Sequence, residues 1–211
     1  MHHLYRFRFS VLLASLLLLA LVSPVVEIAD WRRGPINLLF AAVILSAINA
    51  ASESRGALLA AVFVAIPAFV LNWSRLFIDS PGFEIFADLI LTVLLFFTTA
   101  VVLRAVFRAV HVGVDELSGA VASYLLIAVA WAVSFRMIET MIPGAFAQID
   151  PDPQAAFTQF LYLSLTTVTT LGYGDITPIS PVARIWATLE AVAGVLYVAV
   201  LVARLVSLYR R

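Results

Sequence analysis

Six apolar stretches, at 9–28, 35–51, 56–73, 83–102, 118–135 and 181–207, each approach the length of a membrane-crossing helix, about 20 residues. In lipid every backbone amide and carbonyl must find its partner inside the segment, so such stretches fold as helices. Composition agrees: 63% of the 211 residues are hydrophobic, 12% are charged, and the mean hydropathy is +1.05. That is too little polar surface to cover a water-soluble domain. The expected fold class is an all-α membrane protein with six transmembrane helices. Polar gaps at 30–34, 52–55 and 79–82 punctuate the first four. Arg6 and Arg8 before a leucine-rich run also describe a signal peptide. Apolar character continues past Pro24 to Ile28 without a small-x-small cleavage pattern, so a retained helix is expected.

Several function classes drop out. The absence of cysteine removes disulfides and thiolate metal sites. The 13 basic and 13 acidic residues balance, which gives no electrostatic case for nucleic acid. The histidines are His2, His3 and His111, and no Gly-x-Ser-x-Gly occurs, so the catalytic set of an intramembrane enzyme is missing and no enzyme is expected. No cofactor is called for. Asn72-Trp73-Ser74 fits a glycosylation sequon, but it abuts the third stretch and reads as a chance match.

With both termini in the cytoplasm, Arg6, Arg8, Arg55, Arg104, Arg108, Arg204, Arg210 and Arg211 make 8 arginines inside. Arg32, Arg33, Arg75, Arg136 and Arg184 make 5 outside. The bias has the sign of the positive-inside rule. Such a protein is expected in a bacterial inner membrane, with the loop after residue 150 facing outward.

Thr166 to Asp175 read TTVTTLGYGD, preceded by an apolar segment from Pro153 to about Thr169 that is too short to cross and return. Asp152 can cap that segment, with Pro153 at the favoured first helical position. A helix of this kind is tolerated at membrane depth only when buried in protein or lining water. This constellation resembles the pore helix and selectivity filter of potassium channels. The resemblance implies that the carbonyls of Thr170, Leu171, Gly172 and Tyr173 replace a potassium ion's water shell. The Thr170 hydroxyl adds the innermost ligands, and Gly172 and Gly174 permit backbone angles that a Cβ resists. It also implies that the Tyr173 ring braces against Tyr162, that Thr169 supports the filter, and that Asp175 concentrates cations at the mouth. Leu171 stands where valine is usual, and Thr166 where some family members carry an acid.

The last stretch resembles the family's inner helix. Gly194 near its middle is a candidate hinge or a close-packing residue. Glu190, one turn earlier in an apolar helix, is expensive there. It is expected either to accept hydrogen bonds from Thr166 or Thr167 or to remain protonated.

Residues 1–110 are expected to form a four-helix, voltage-sensor-like domain, and residues 111–211 the pore domain. Sensing is not expected, because the fourth stretch carries no arginine until Arg104 and Arg108 at its cytoplasmic end, whereas steep voltage dependence needs about three to four charges per subunit. Residues 104–116 read as an interfacial linker, with His111 as a candidate pH-responsive group. With the sequence ending soon after the inner helix, no regulatory domain is expected. With one loop per chain, the resemblance implies a homotetramer in a lipid bilayer, conducting K+ as the transported ion. A non-selective cation channel, should Leu171 loosen the filter, and a potassium-transporter subunit are the rivals.

Overall fold

The computed structural model describes residues 7–28, 34–53, 55–78, 80–109, 113–150 and 153–209. Among them run α1 (Arg8–Ile28), α2 (Gly34–Ala50), α3 (Arg55–Ser74), α4 (Pro81–Arg108), α5 (Val114–Met141), α6 (Pro153–Val168) and α7 (Pro181–Tyr209). A 3-10 turn, Ala51–Glu53, follows α2, and two-residue strands β1 (Phe146–Ala147) and β2 (Thr177–Pro178) flank α6. By length and composition α1, α3, α4, α5 and α7 can cross a membrane. α2 is also apolar, and its 17 residues lie at the short end of the spanning range, about 25 Å. The chain is an all-α membrane protein. The predicted cap Asp152, the candidate His111, and His2, His3, Arg6, Arg32, Arg33, Arg210 and Arg211 lie outside the described residues.

α4 and α5 each have 28 residues, about 42 Å, longer than the hydrocarbon core of about 30 Å. Of residues 104–116, expected as an interfacial linker, the first finish α4 and the last begin α5. Arg104 to Arg108 contain no helix breaker, so α4 continues until the Ala109 N–H closes back on the Ala105 carbonyl at 3.1 Å. α5 then starts after Gly113, whose N–H donates to the Glu116 carboxylate at 2.9 Å. Asp115 and Glu116 in that first turn suit the positive end of the helix dipole.

α5 is the centre of the bundle, packed by α1, α4, α6 and α7. Its run Ala128, Val129, Ala130, Ala132, Val133 and Ser134 is buried. Side chains this small let backbones approach, which is how helices associate where lipid removes the hydrophobic incentive. α1 answers with Phe9, Leu12, Leu16 and Leu19, a buried stripe at alternating three- and four-residue spacing. The start of α1 is tied to α5: Asp115 accepts the N–H groups of Phe9 (3.1 Å) and Ser10 (2.9 Å) and the Ser10 hydroxyl (3.0 Å). Those amides have no partner within their own helix.

Asn72 of the sequon is buried between α2 and α3 and donates to the Asn37 carbonyl at 3.1 Å, so it faces a neighbouring helix and not a modifying enzyme. Charge appears where the sequence pattern offered no pairing. Asp88 of α4 is wholly buried and accepts hydrogen bonds from Arg75, just after α3, and from Arg136 of α5. Arg136 binds in the two-point mode, at 2.5 and 3.1 Å, and its guanidinium lies 5.6 Å over the Phe157 ring. The fourth helix thus carries an acid held by arginines from its neighbours, the reverse of a sensing helix.

Candidate functional site

α6 has 16 residues, about 24 Å, and packs between α5 and α7. Phe157 stacks edge-on with Phe40 of α2 (4.8 Å), and Phe160 with Phe146 of β1 (5.2 Å). β1 pairs antiparallel with β2, and the N–H groups of Ile179 and Ser180 both reach the Ala145 carbonyl, at 2.8 and 3.1 Å. The segment between α6 and α7 is therefore fixed at both ends.

Between these anchors Thr169 to Asp175 form one exposed ribbon. Its backbone alternates in hand: φ is positive at Thr170 (60°), Gly172 (52°) and Gly174 (80°), and not at Leu171 or Tyr173. In an ordinary strand successive carbonyls point to opposite sides. Alternating the sign of φ brings them to the same side. Glycine takes such angles freely. Thr170 does not: a β-branched residue at positive φ is a genuine outlier, and strain of this kind gathers at functional sites.

The N–H groups of Thr170, Leu171 and Gly172 are spent on α6, and the ribbon's carbonyls are not. The Thr166 carbonyl accepts both Leu171 N–H (2.8 Å) and Gly172 N–H (3.1 Å), and the Thr167 carbonyl accepts Thr170 N–H (3.0 Å). Among the described residues, none donates to the carbonyls of Thr170, Leu171, Gly172, Tyr173 or Gly174. The Thr170 hydroxyl likewise makes no bond there, while the Thr169 hydroxyl turns back to the Leu165 carbonyl at 2.6 Å.

Behind the ribbon, the Tyr173 and Tyr162 rings are stacked, 6.4 Å apart and 5° from parallel. The Tyr162 hydroxyl donates to Asp175 at 2.6 Å, and Asp175 also accepts its neighbour Ile176 N–H at 3.0 Å. The Tyr162 hydrogen bond holds the Asp175 carboxyl below the usual carboxylate range. Tyr162 therefore takes up the aspartate that an acid at position 166 would approach. Thr166 acts through its carbonyl; its hydroxyl bonds Leu163.

Glu190 is wholly buried, and its partner is a correction. The Thr166 and Thr167 hydroxyls both fold back to the Leu163 carbonyl, at 3.0 and 2.7 Å, as helical threonines do. Ser164 is the residue hydrogen-bonded to Glu190, and it also reaches the Ala128 carbonyl of α5 at 2.6 Å. Tyr124 was missed too: its hydroxyl donates at 2.9 Å to the Val168 carbonyl, one of the acceptors left open at the end of α6.

Gly194 meets the same carbonyl. A Cβ built there would collide with the Val168 oxygen and lie 2.8 Å from its Cγ2. Close approach of α7 to the end of α6 is thus a sufficient reason for glycine. Gly194→Ala is expected to push α6 and the ribbon aside and cost about 1–3 kcal/mol, read as a lower unfolding temperature of the purified protein.

Residues 123–211 match a family model described as Ion channel. No curated protein and no solved structure matches the chain. The matched stretch holds every residue of the site: Tyr124, α6, the ribbon, Glu190 and Gly194. Set on a framework of membrane-length apolar helices, this similarity to ion channels supports passive ion conduction across a lipid bilayer.

Proposed function

We propose that four copies of the chain meet on an axis and that their ribbons form a potassium-selective filter. The observation that carries this reading is the set of five consecutive carbonyls without donors on a backbone of alternating hand. A carbonyl at membrane depth needs a partner, and a dehydrated cation is the partner that several carbonyls on one side can share. Thr170, Leu171, Gly172 and Tyr173 supply the ion ligands, the Thr170 hydroxyl closes the inner end, and Asp175 raises the cation concentration at the mouth. The N–H groups of Leu171 and Gly172, tied to Thr166, hold the ribbon against collapse. One chain offers one ribbon, and closed symmetry completes the ring.

Residues 111–211 form the pore domain and residues 1–110 a sensor-like domain that does not sense, so conduction depends weakly or not at all on voltage. Six helices span, α6 enters and leaves on one side, and both termini are cytoplasmic. Protein reconstituted in liposomes is expected to pass potassium, exclude sodium and be blocked by barium. A reversal potential indifferent to exchanging potassium for sodium would replace this reading with a non-selective pore. Absence of any cation flux would remove it.

A further inference from the structure

The buried contact of Glu190 has too few protons unless the acid brings one. Ser164 Oγ lies 2.6 Å from the Ala128 carbonyl and is also hydrogen-bonded to Glu190 Oε1. A serine hydroxyl has one proton, and a backbone carbonyl can only accept. The Ser164 proton therefore goes to Ala128, and the second bond must take its proton from Glu190. Were Glu190 ionised, Ser164 would turn its proton to the carboxylate and present bare lone pairs to the Ala128 oxygen.

The surroundings agree. Glu190 is 0% exposed, and its Oε2 has no hydrogen-bond partner among the described residues. Each described ionisable side chain of the packed helices has another engagement. On α5, Tyr124 faces the carboxyl but donates to Val168, Arg136 holds Asp88, Asp115 and Glu116 bind amides at the start of α1 and α5, and Glu139 binds the N–H groups of Gly144 and Phe146. Tyr162 is the ionisable side chain of α6, and it donates to Asp175. On α7 itself, Arg184, Tyr197 and Arg204 donate to backbone carbonyls. Ser164 lies one turn before the end of α6, where the helix dipole is negative and opposes a second negative charge.

We propose that Glu190 is a neutral carboxylic acid whose proton joins α7 to Ser164 of α6 and, through it, to Ala128 of α5, forming a proton-dependent latch behind the ribbon. Losing the proton breaks the chain of bonds and leaves an unpaired charge one turn from the Gly194–Val168 contact. α6 then shifts, and the ribbon shifts with it. The proton count stands on geometry alone, while its effect on conduction rests on the pore reading above.

The test is infrared difference spectroscopy on the full chain in bilayers, wild type minus Glu190→Gln, with potassium flux followed over the same pH range. At neutral pH the difference spectrum is expected to show a carboxylic-acid C=O stretch, and Ser164→Ala to shift it upward by removing the acceptor. As the band is titrated away on the alkaline side, wild-type flux is expected to fall at least about tenfold, the change that 1.4 kcal/mol produces. Glu190→Gln, whose amide can donate to Ser164 and cannot ionise, is expected to show no such loss on the alkaline side. Carboxylate bands at neutral pH would overturn the proton assignment. A band that titrates without loss of flux, or a glutamine variant as alkali-sensitive as wild type, would overturn the latch. Wild type that passes no ion would refute the pore reading and leave the infrared result to decide the proton.

Discussion

Gly172→Ala is expected to abolish potassium flux and leave the assembled tetramer intact. The site is not crowded: a Cβ on Gly172 would meet nothing within 4 Å. The effect must come from the backbone, where φ is 52°. An L-residue held at this angle costs about 1–2 kcal/mol. In the proposed tetramer four chains share a single ion pathway, so the cost to the conducting arrangement is about 4–8 kcal/mol, or about a thousandfold to a millionfold in its population. The packing of α5, α6 and α7 within each chain does not depend on that angle, so assembly is expected to survive. Gly82→Ala is the matched control. Gly82 has equally open surroundings but lies in the first turn of α4 without positive φ, and flux through that variant is expected to be unchanged. Normal selective flux in Gly172→Ala would show that the ribbon is not the ion path.

The ribbon was legible in the sequence because its chemistry is local. Glycine at 172 and 174 marks the angles that alternate in the structure, and Thr170 completes the period although it is not a glycine. The helices were legible for the same reason, since hydropathy over a window needs no knowledge of neighbours. What was not legible depends on how helices are rotated and how far they extend. The sequence offers Glu190 the hydroxyls of Thr166 and Thr167 behind the filter, but which hydroxyl of α6 faces α7 is decided by helix rotation, and it is Ser164. Tyr124 lies 44 residues from the carbonyl it serves, and no periodicity connects the two. The extension of α4 through Arg108 was hidden by a change in polarity, whereas the helix ends where Ala109 caps it, and α5 begins behind Gly113 with Glu116.

Asp88→Ala is expected to destabilise the protein more than any other single truncation in the first four helices. Arg75 and Arg136 converge on one carboxylate that solvent does not reach, and removing it leaves two guanidinium groups without their shared hydrogen-bond acceptor, offset by the charge of Glu84 alone among the groups acting on both. Breaking a buried pair from one side costs about 3–5 kcal/mol, against about 5–15 kcal/mol of total stability for a typical domain. A fall in unfolding temperature and in yield of folded protein would register it. Replacing all three charges together, Asp88→Leu with Arg75→Met and Arg136→Met, is expected to recover most of the loss, since apolar groups of similar volume often match a buried ion cluster. The cluster also bears on voltage. Its arginines come from the α3–α4 turn and from α5, and its acid from α4, so α4 cannot slide along the membrane normal without breaking both pairs. A helix pinned in this way, with Arg104 and Arg108 only in its last turns, has no route for carrying several charges across the field. Currents that are flat with voltage in wild type and stay flat in the triple apolar variant would follow. Steep voltage dependence that vanished with Asp88 would show that the cluster moves.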